Sequence, residues 1–567
     1  MKKDFYTAEH EDLSRRNFLR GSALAAAGLA VTGMAGCSSN PEEPLADAGI
    51  NGNLPESWDV ETDVVVVGLG AAGLSAAIAA KMSGAESVVA LEAAPEEDAG
   101  GTTRVSGDML MIPDDVDGAI AYQTELNGPY TVEPELMQAW ADGVVGNYEW
   151  LTEDLDFVLG DATAARPEFP GITGGEHIKT YYVDGICGMS SLWIPLMEKS
   201  DELGVEVAYE ARATELIYNY ETKEVYGVRT EDGRTFKGRR GVVLACGGFS
   251  GNPDMLQDYM ASMGCPKPFA LGSPYNVGDG VRMAQQIGAQ LWHMNSYAAS
   301  SYNVRAISSD SPTSNIPYPV GIDYILVNGE GERFMYEETR SIQRHGKQKD
   351  RGVWPLIPIP SGSHLIMGGQ CGANDIFGAI TYMTWPVIME KGYTTNQELI
   401  DAGIMFKADT IEELADKLGY PAEKLATTLK KYNDAIDAGE PDEFGRGTEV
   451  YASNLFNAAE GTDAIAGDEH GTESLAIEAF PLQKIEGPFY GTEIALGLLN
   501  TQGGAKRDGK SQVLDLSDNP IPRLFSAGEF GSIYAYMYNG GGNISEAVSP
   551  GRIAGQGAAA LEPWDVA

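Results

Sequence analysis

Cysteine is scarce in this sequence: 5 among 567 residues, at positions 37, 187, 246, 265 and 371. No two form a CxxC pair and their spacing is irregular, so neither a disulfide framework nor a cysteine-built metal site is indicated. The CxxCH sequence that attaches a c-type haem is absent as well. Positive charge is equally thin. Against 82 Asp and Glu stand 39 Lys and Arg, a formal net charge of −43. That excludes nucleic acid as a partner, because its phosphates would be repelled. Such a charge keeps a protein soluble and self-repelling. A surface for docking a basic electron-transfer protein is the sharper alternative, and charge alone does not select it.

Glycine, by contrast, is plentiful. Its 69 residues cluster in short motifs, which points to turns around a large ligand. With 43% apolar and 21% charged residues the composition is that of a globular protein. A chain of 567 residues exceeds one hydrophobic core, so two domains with extra segments are expected.

Residues 1–36 read as an address. Ser14-Arg15-Arg16-Asn17-Phe18-Leu19 carries the twin-arginine pattern, with Lys2, Lys3 and Arg20 adding charge around it. The apolar run from Ala23 to Ala35 is shorter than the roughly 20 residues of a spanning helix. This is the order of a Tat export signal, so a periplasmic or cell-surface protein is expected. Met34-Ala35-Gly36-Cys37 looks like a lipoprotein cleavage box, which makes Cys37 a candidate lipid anchor. Residues 37–58, rich in Pro, Gly and acids, read as a linker.

An α/β dinucleotide fold is expected to follow. Asp63-Val64-Val65-Val66-Val67 is a short β-branched run, the signature of a buried parallel strand. Gly68-Leu69-Gly70-Ala71-Ala72-Gly73 comes next, then an Ala-rich helix to Met82 and a strand from Ser87 to Leu91 ending in Glu92. In this arrangement Gly68 makes the tight turn, Gly70 lets the backbone approach a pyrophosphate, and Gly73 packs helix on strand. The start of the helix offers unpaired N–H groups to the phosphates. Glu92 stands where an acid accepts bonds from the ribose hydroxyls.

A second loop, Gly100-Gly101-Thr102-Thr103-Arg104-Val105-Ser106-Gly107, resembles the one that wraps pyrophosphate and flavin in the fumarate reductase flavoprotein family. The likeness runs from Asp59 to Ala560. Gly241 to Phe249, with Cys246-Gly247-Gly248 at its end, resembles the family's strand and turn beneath the flavin. Gly278-Asp279-Gly280 resembles a helix start. Ile325 to Asn328 with Gly331, Arg333, Phe334 and Glu337 resembles the "VNxxGxRFxxE" stretch, and Phe444-Gly445-Arg446 the "FGR" signature. Leu524 to Gly528-Glu529 is similar to the "LYAAGE" strand. Gly540 to Ile544, including Asn543, resembles the loop that meets the flavin pyrimidine edge, and Gly551 to Gly555 the closing helix.

The resemblance implies FAD, bound in a Rossmann-like FAD-binding domain (residues 59–294 and 500–567) interrupted by an α+β capping domain (295–499). Helices are expected in the cap at Val387–Lys391, Ile411–Leu418 and Ala422–Tyr432. The implied cofactor-binding residues are Gly68, Gly70, Ala71, Ala72, Gly73, Glu92, Gly100, Gly101, Thr102, Thr103, Ser106, Gly107, Gly247, Gly248, Asp279, Gly528, Glu529, Asn543 and Ile544. No metal is expected. Cys246 ends an apolar run and reads as a core thiol. His177, His293, His345 and His364 match no motif and read as structural.

The chain departs from the family where fumarate reductases clamp two carboxylates. Their "HHTxGG" reads Leu499-Asn500-Thr501-Gln502-Gly503-Gly504 here, and the Arg of "NRLGGN" is Asn539. A buried dicarboxylate without paired cations is costly, so fumarate is rejected as substrate. Tyr538-Asn539-Gly540-Gly541-Gly542 is instead similar to the "YPGxG" segment of 3-ketosteroid Δ1-dehydrogenases. The likeness implies that the Tyr538 hydroxyl and the Gly542 amide bond a substrate carbonyl and stabilise an enolate. Tyr534, Tyr536 and Tyr538 also suit a purely aromatic cleft wall. Arg340 is the candidate proton donor, or else a surface partner of Glu337 and Glu338.

The expected activity is that of an FAD-dependent oxidoreductase acting on CH–CH groups. The leading reading is a reductase of C=C bonds conjugated to a carbonyl, on a small molecule larger and less charged than fumarate. A separate cytochrome or quinol-linked protein would supply the electrons. A 3-ketosteroid-type dehydrogenase and a non-catalytic electron-relay flavoprotein are the alternatives.

Overall fold

The computed structural model describes residues 52–161, 167, 169, 171–186, 188, 190–260, 269–304, 323–335, 337, 343–344, 347–348, 356, 359–360, 362–373, 395–444 and 483–564. The elements that build the site, in chain order, are β1 (Val60–Val67), α1 (Ala71–Met82), β2 (Val88–Leu91), β3 (Glu206–Ala208), β4 (Thr235–Leu244), α2 (Asp279–Ile287), β5 (Tyr297–Val304), β6 (Tyr324–Val327), β7 (His364–Met367), α3 (Ile411–Leu418), α4 (Ala422–Ala438), β8 (Phe489–Thr501), β9 (Pro520–Ser526) and α5 (Gly542–Ala559).

Five strands form a parallel layer in the order β9-β4-β1-β2-β3, with an antiparallel strand at the β9 edge and a hairpin alongside β4. The valine run of β1 lies at its centre, paired on both sides and fully buried from Asp63 to Val67 save for a trace at its end. A strand covered on both faces has no polar side to show, which is why it reads as a continuous apolar run. This is the expected Rossmann-like arrangement, and the strand starts three residues earlier than the apolar run itself.

Small residues let two helices lie close above this layer. Every residue of α1 from Ala71 to Ala80 is buried. A Cβ on Gly551 or Gly555 of α5 would fall 2.5 Å from the Ala72 carbonyl oxygen or 2.1 Å from that of Ala76. The glycines of the closing motif thus permit backbone contact between α5 and α1. Gly73 does the same between helix and strand: a Cβ there would lie 1.9 Å from the Gly68 carbonyl oxygen.

A second, mixed sheet centres on β8, a 13-residue strand that pairs antiparallel with β5 and β7, while β6 pairs with β7. Helices α3 and α4 cover it through Leu414, Leu425, Leu429 and Tyr432, packed on Ile325, Val327 and Ile366. The Thr410 hydroxyl accepts from the Glu413 amide to start α3, and left-handed Gly419 ends it. The expected helix at Ile411–Leu418 is present, and that beginning at Ala422 runs on to Ala438. The one expected at Val387–Lys391 lies outside the described residues. Arg333 is buried here in ion pairs with Glu337 (2.5 Å) and Asp442 (2.8 Å), under the Phe444 ring. The "VNxxGxRFxxE" stretch and the Phe of the "FGR" signature therefore meet in one structural cluster. Gly445 and Arg446 lie outside the described residues.

Two expected boundaries fall within continuous structure. The described residues begin at Gly52, within the stretch read as linker. The Asn53 carboxamide donates to Glu215 (2.7 Å) and to the Leu216 carbonyl (2.8 Å), and accepts from the Tyr218 amide. One asparagine bonding an antiparallel hairpin edge leaves no periodic trace in a sequence. The boundary between Leu499 and Asn500 falls inside β8, so a single strand carries the chain from the second sheet to the cavity described next.

Candidate functional site

The parallel strands end at one large cavity. It holds about 1580 Å³ of atom-free space, including its solvent-open mouth. This is where an open α/β sheet receives its ligand, beyond the carboxyl ends of the strands. The ends of β1 (Val67, Gly68), β2 (Leu91, Glu92), β4 (Ala245 to Gly247) and β9 (Ala527 to Glu529) all line it, as do the first residues of α1 and α5.

Of the residues implied to hold the cofactor, the cavity gathers Gly68, Gly70, Ala71, Ala72, Glu92, Gly101, Thr102, Thr103, Ser106, Gly107, Gly247, Asp279, Gly528, Glu529, Asn543 and Ile544. A Cβ on Gly70 would press on the Thr103 hydroxyl at 3.3 Å, so the bare glycine keeps this stretch of the cavity wall low. The Thr103 hydroxyl accepts from the Ala71 amide at 3.0 Å, tying the second loop to the start of α1. That helix start has no other side-chain cap and no acid in its first turn, as a phosphate site requires.

Three implied residues stand behind the wall. Gly73 serves the helix–strand contact. Gly100 lies against Trp193, where a Cβ would be 2.7 Å from the indole. Gly248 donates its amide to the Glu529 carboxylate at 2.8 Å. Asp279 reaches the cavity, but its carboxylate is taken up by Arg212 at 2.6 Å.

The wall is acidic. Burial raises the Glu92 carboxyl, which accepts from the Ala94 amide at 2.9 Å. Burial pushes Glu529 up to about 7, in spite of the Gly248 amide and the Asn276 carboxamide (2.9 Å) that donate to it. Asp108, with no exposed surface, is pushed up to about 6; it accepts from the Ser106 hydroxyl at 2.5 Å and the Leu192 amide at 3.1 Å. Among the described lining residues there is no Lys, Arg or His. Cys246 also lines the cavity, its thiol pushed up to about 12 by burial.

At the far end Tyr538 lines the cavity with Leu499, Asn500, Gly540 and Gly541. Its ring packs on that of Tyr534, with centroids 5.4 Å apart, and Tyr534 meets Trp140 edge-on at 6.1 Å. The expected role of Gly542 needs correction. Its amide donates to the Asn539 carbonyl at 2.9 Å and so is already used in the turn. A Cβ there would sit 2.6 Å from the Tyr534 hydroxyl and 3.1 Å from the Tyr538 ring. The position is glycine because two tyrosines pack across it. Arg340 and His345 lie outside the described residues. His177 sits at the surface beside Asp114, while His293 Nδ1 donates to the Ser532 carbonyl (2.7 Å) and the imidazole is pushed down to about 4 by burial. His364 bonds the Gly362 carbonyl and Tyr420.

Sequence reasoning missed Asp108, Asn276, Tyr182 and the carboxamide of Asn500, all of which line the cavity. For Asp108 a signal existed: an Asp directly after a Ser-Gly pair is suited to a left-handed turn, and its φ is 51°. Asn500 entered only as the residue standing where the family has a histidine.

The residues present fit FAD. A helix start with no acid in its first turn, a bare Gly70 beside it and the buried acids Glu92 and Glu529 line one cavity. The model of the FAD binding domain matches residues 63–544. A digoxin reductase from Eggerthella lenta is 27% identical over an alignment covering 98% of each chain. A probable fumarate reductase, Ifc3, from Shewanella frigidimarina is 26% identical, covering 91% of this chain and 80% of that one. In fold, the chain is similar to 3-ketosteroid delta1-dehydrogenase from Sterolibacterium denitrificans, with a TM-score of 0.67 at 20% identity over 88% of this chain and 99% of that one.

Proposed function

The chain belongs to the FAD binding domain family, and from that premise we propose that it reduces a C=C bond conjugated to a carbonyl, in a substrate larger and less charged than fumarate. It is an FAD-dependent oxidoreductase acting on CH–CH groups. Bound FAD supplies the two-electron exchange with carbon.

The observation that carries the reading is the make-up of the cavity wall. Four acids and no cation line it among the described residues. A substrate carboxylate brought there would find no described cation to pair with, at a cost of several kcal/mol, about the scale of an unpaired buried ion. A neutral carbonyl asks only for a hydrogen-bond donor. Tyr538 takes that part in our reading: its hydroxyl holds the carbonyl oxygen and bears the negative charge that gathers there. The Tyr534 and Trp140 rings brace Tyr538 and exclude water from its far side. Arg340, from the sequence alone, remains our candidate for the proton to the α-carbon.

The reductive direction is supported by the likeness to a digoxin reductase over nearly the whole chain. We further propose that residues 59–294 and 500–567 bind FAD while 295–499 cap the substrate. Export by the Tat route is supported by Ser14 to Leu19 and the apolar run after it, with Cys37 as a candidate anchor. Little NAD(P)H is available outside the membrane, so a cytochrome or quinol-linked protein is proposed as electron donor.

Anaerobic mixing of the reduced holoprotein with an α,β-unsaturated ketone tests the reading. Flavin absorbance should return with one C=C reduced per FAD. Reoxidation no faster than in buffer would sink it. Bleaching of the oxidised flavin by a saturated 3-ketosteroid would favour the dehydrogenase instead.

A further inference from the structure

Three carboxamides form a chain along the rim of the cofactor cavity. The Gln502 Nε2 donates to Asn543 Oδ1 at 3.0 Å, and the Asn543 Nδ2 donates to Asn500 Oδ1 at 2.9 Å. The Asn500 Nδ2 donates to the Thr501 carbonyl at 3.3 Å. Asn500 and Gln502 are 3% and 1% exposed, so their bonds are shielded from water. Asn500 lies near the end of β8, and Asn543 is the second residue of α5. Segments some forty residues apart in sequence are therefore joined side chain to side chain at one place.

The backbone holds the outer end of the chain still. The Gln502 amide donates to the Ser296 carbonyl, and the Gln502 carbonyl accepts from the Ser532 amide, both at 2.9 Å. A side chain so anchored passes its position inward to Asn543. That residue opens the first turn of α5, where Asn543 and Ile544 line the cavity and neither an acid nor a side-chain cap occupies the helix start. Helix starts favour negative charge close by. A cofactor that gains electrons becomes the more strongly held form at such a place.

We propose that Asn500 is a positioning residue for the cofactor: through Asn543 it fixes the first turn of α5 against the cavity, and so favours the reduced over the oxidised form of FAD. The claim stands on cofactor binding and is independent of which C=C substrate is used. It gives the strand leading out of the second sheet, β8, a direct hold on the electron affinity of the cofactor.

The test is the two-electron midpoint potential of bound FAD, measured by anaerobic dye equilibration in the holoprotein and in Asn500→Leu, Gln502→Leu and the double variant. Loss of one shielded hydrogen bond is worth about tenfold in an equilibrium. Asn500→Leu should therefore lower the ratio of reduced to oxidised affinity about tenfold, about 30 mV for a two-electron couple. Gln502→Leu, set back from the cavity, should shift it less and in the same direction. The double variant should lower it further than Asn500→Leu alone, because Gln502 and Asn500 hold Asn543 through separate bonds. An unchanged or raised potential in Asn500→Leu, or a double variant no lower than Asn500→Leu alone, overturns the proposal. Should Asn500→Leu fail to retain FAD, Gln502→Leu decides: a lowered potential supports the chain, and an unchanged one overturns it. Failure of the enone assay would leave these potentials unaffected, so the two claims fail separately.

Discussion

The amide of Gly542 and the carbonyl of Asn539 are joined by a 2.9 Å hydrogen bond that closes the turn into α5. This one bond separates two roles for the glycine. Alanine at 542 would keep the N–H, so a donor role predicts full activity for Gly542→Ala. Packing predicts otherwise, since the added methyl would press on the Tyr534 hydroxyl at 2.6 Å. We expect a loss of about 1–3 kcal/mol, as overpacking usually costs. Chemical denaturation of the variant checks it, and an unchanged midpoint would restore the donor role.

Gly70 and Gly73 should respond to alanine in opposite ways. At Gly70 the new methyl would lie 3.3 Å from the Thr103 hydroxyl, a contact that the side chain relieves by shifting a few tenths of an ångström, so the fold should hold while FAD binding weakens about tenfold or more, about 1.4 kcal/mol per factor of ten. At Gly73 it would stand 1.9 Å from the Gly68 carbonyl oxygen, and α1 must move. Thermal denaturation and the visible flavin spectrum of the two variants separate these outcomes. Equal loss of stability in both would contradict the division between cavity wall and packing contact.

The buried pair Arg507–Glu546, 2.6 Å apart, anchors α5 to the segment before Tyr534. Glu546 also accepts from the Ile533 amide (2.7 Å) and the Ser532 hydroxyl (2.9 Å), and Arg507 donates to the Phe530 and Gly528 carbonyls. Arg507→Met would strand a buried carboxylate and should cost about 3–5 kcal/mol. Urea denaturation measures it; a loss under about 1 kcal/mol, the range of a surface pair, would show that water reaches the site.

Glu529 predicts a pH dependence for the flavin-free protein. Its folded carboxyl is raised to about 7, against about 4.3 in an unfolded chain. Between those values the folded protein keeps a proton that the unfolded chain has released, so stability falls as pH rises through the window and levels off above it. Asp108, raised to about 6, adds to the same slope over the lower part of the window. Comparing Glu529→Gln with the parent isolates the first group. The stability advantage of the parent should shrink from pH 4.5 to 7; a constant difference would mean that Glu529 stays ionised throughout.

Much of this was legible in the residues, and for stated reasons. The valine run announced β1 because a strand buried on both faces must be apolar throughout. Gly68, Gly70 and Glu92 were legible because turn, close approach and ribose contact each demand one residue type at one spacing. The family motifs located Arg333 and Glu337, although not the buried cluster with Asp442 that explains them. What stayed hidden depends on side chains meeting across the fold. Asn53 bonding a hairpin edge, the Gln502–Asn543–Asn500 chain and the two tyrosines pressed over Gly542 carry no period. Tyr538 reads the same in sequence whether it lines a cavity or fills a core.

The central claim, that Tyr538 polarises a substrate carbonyl conjugated to the C=C bond, is tested most directly by single-turnover reoxidation of the reduced holoprotein. An enone is compared with the same skeleton lacking the carbonyl, in the parent and in Tyr538→Phe. The account predicts rapid reoxidation by the enone alone, slowed about 10²- to 10³-fold by the substitution, the scale of losing one oxyanion donor. Equal rates for the two compounds, or an undiminished rate in Tyr538→Phe, would contradict it.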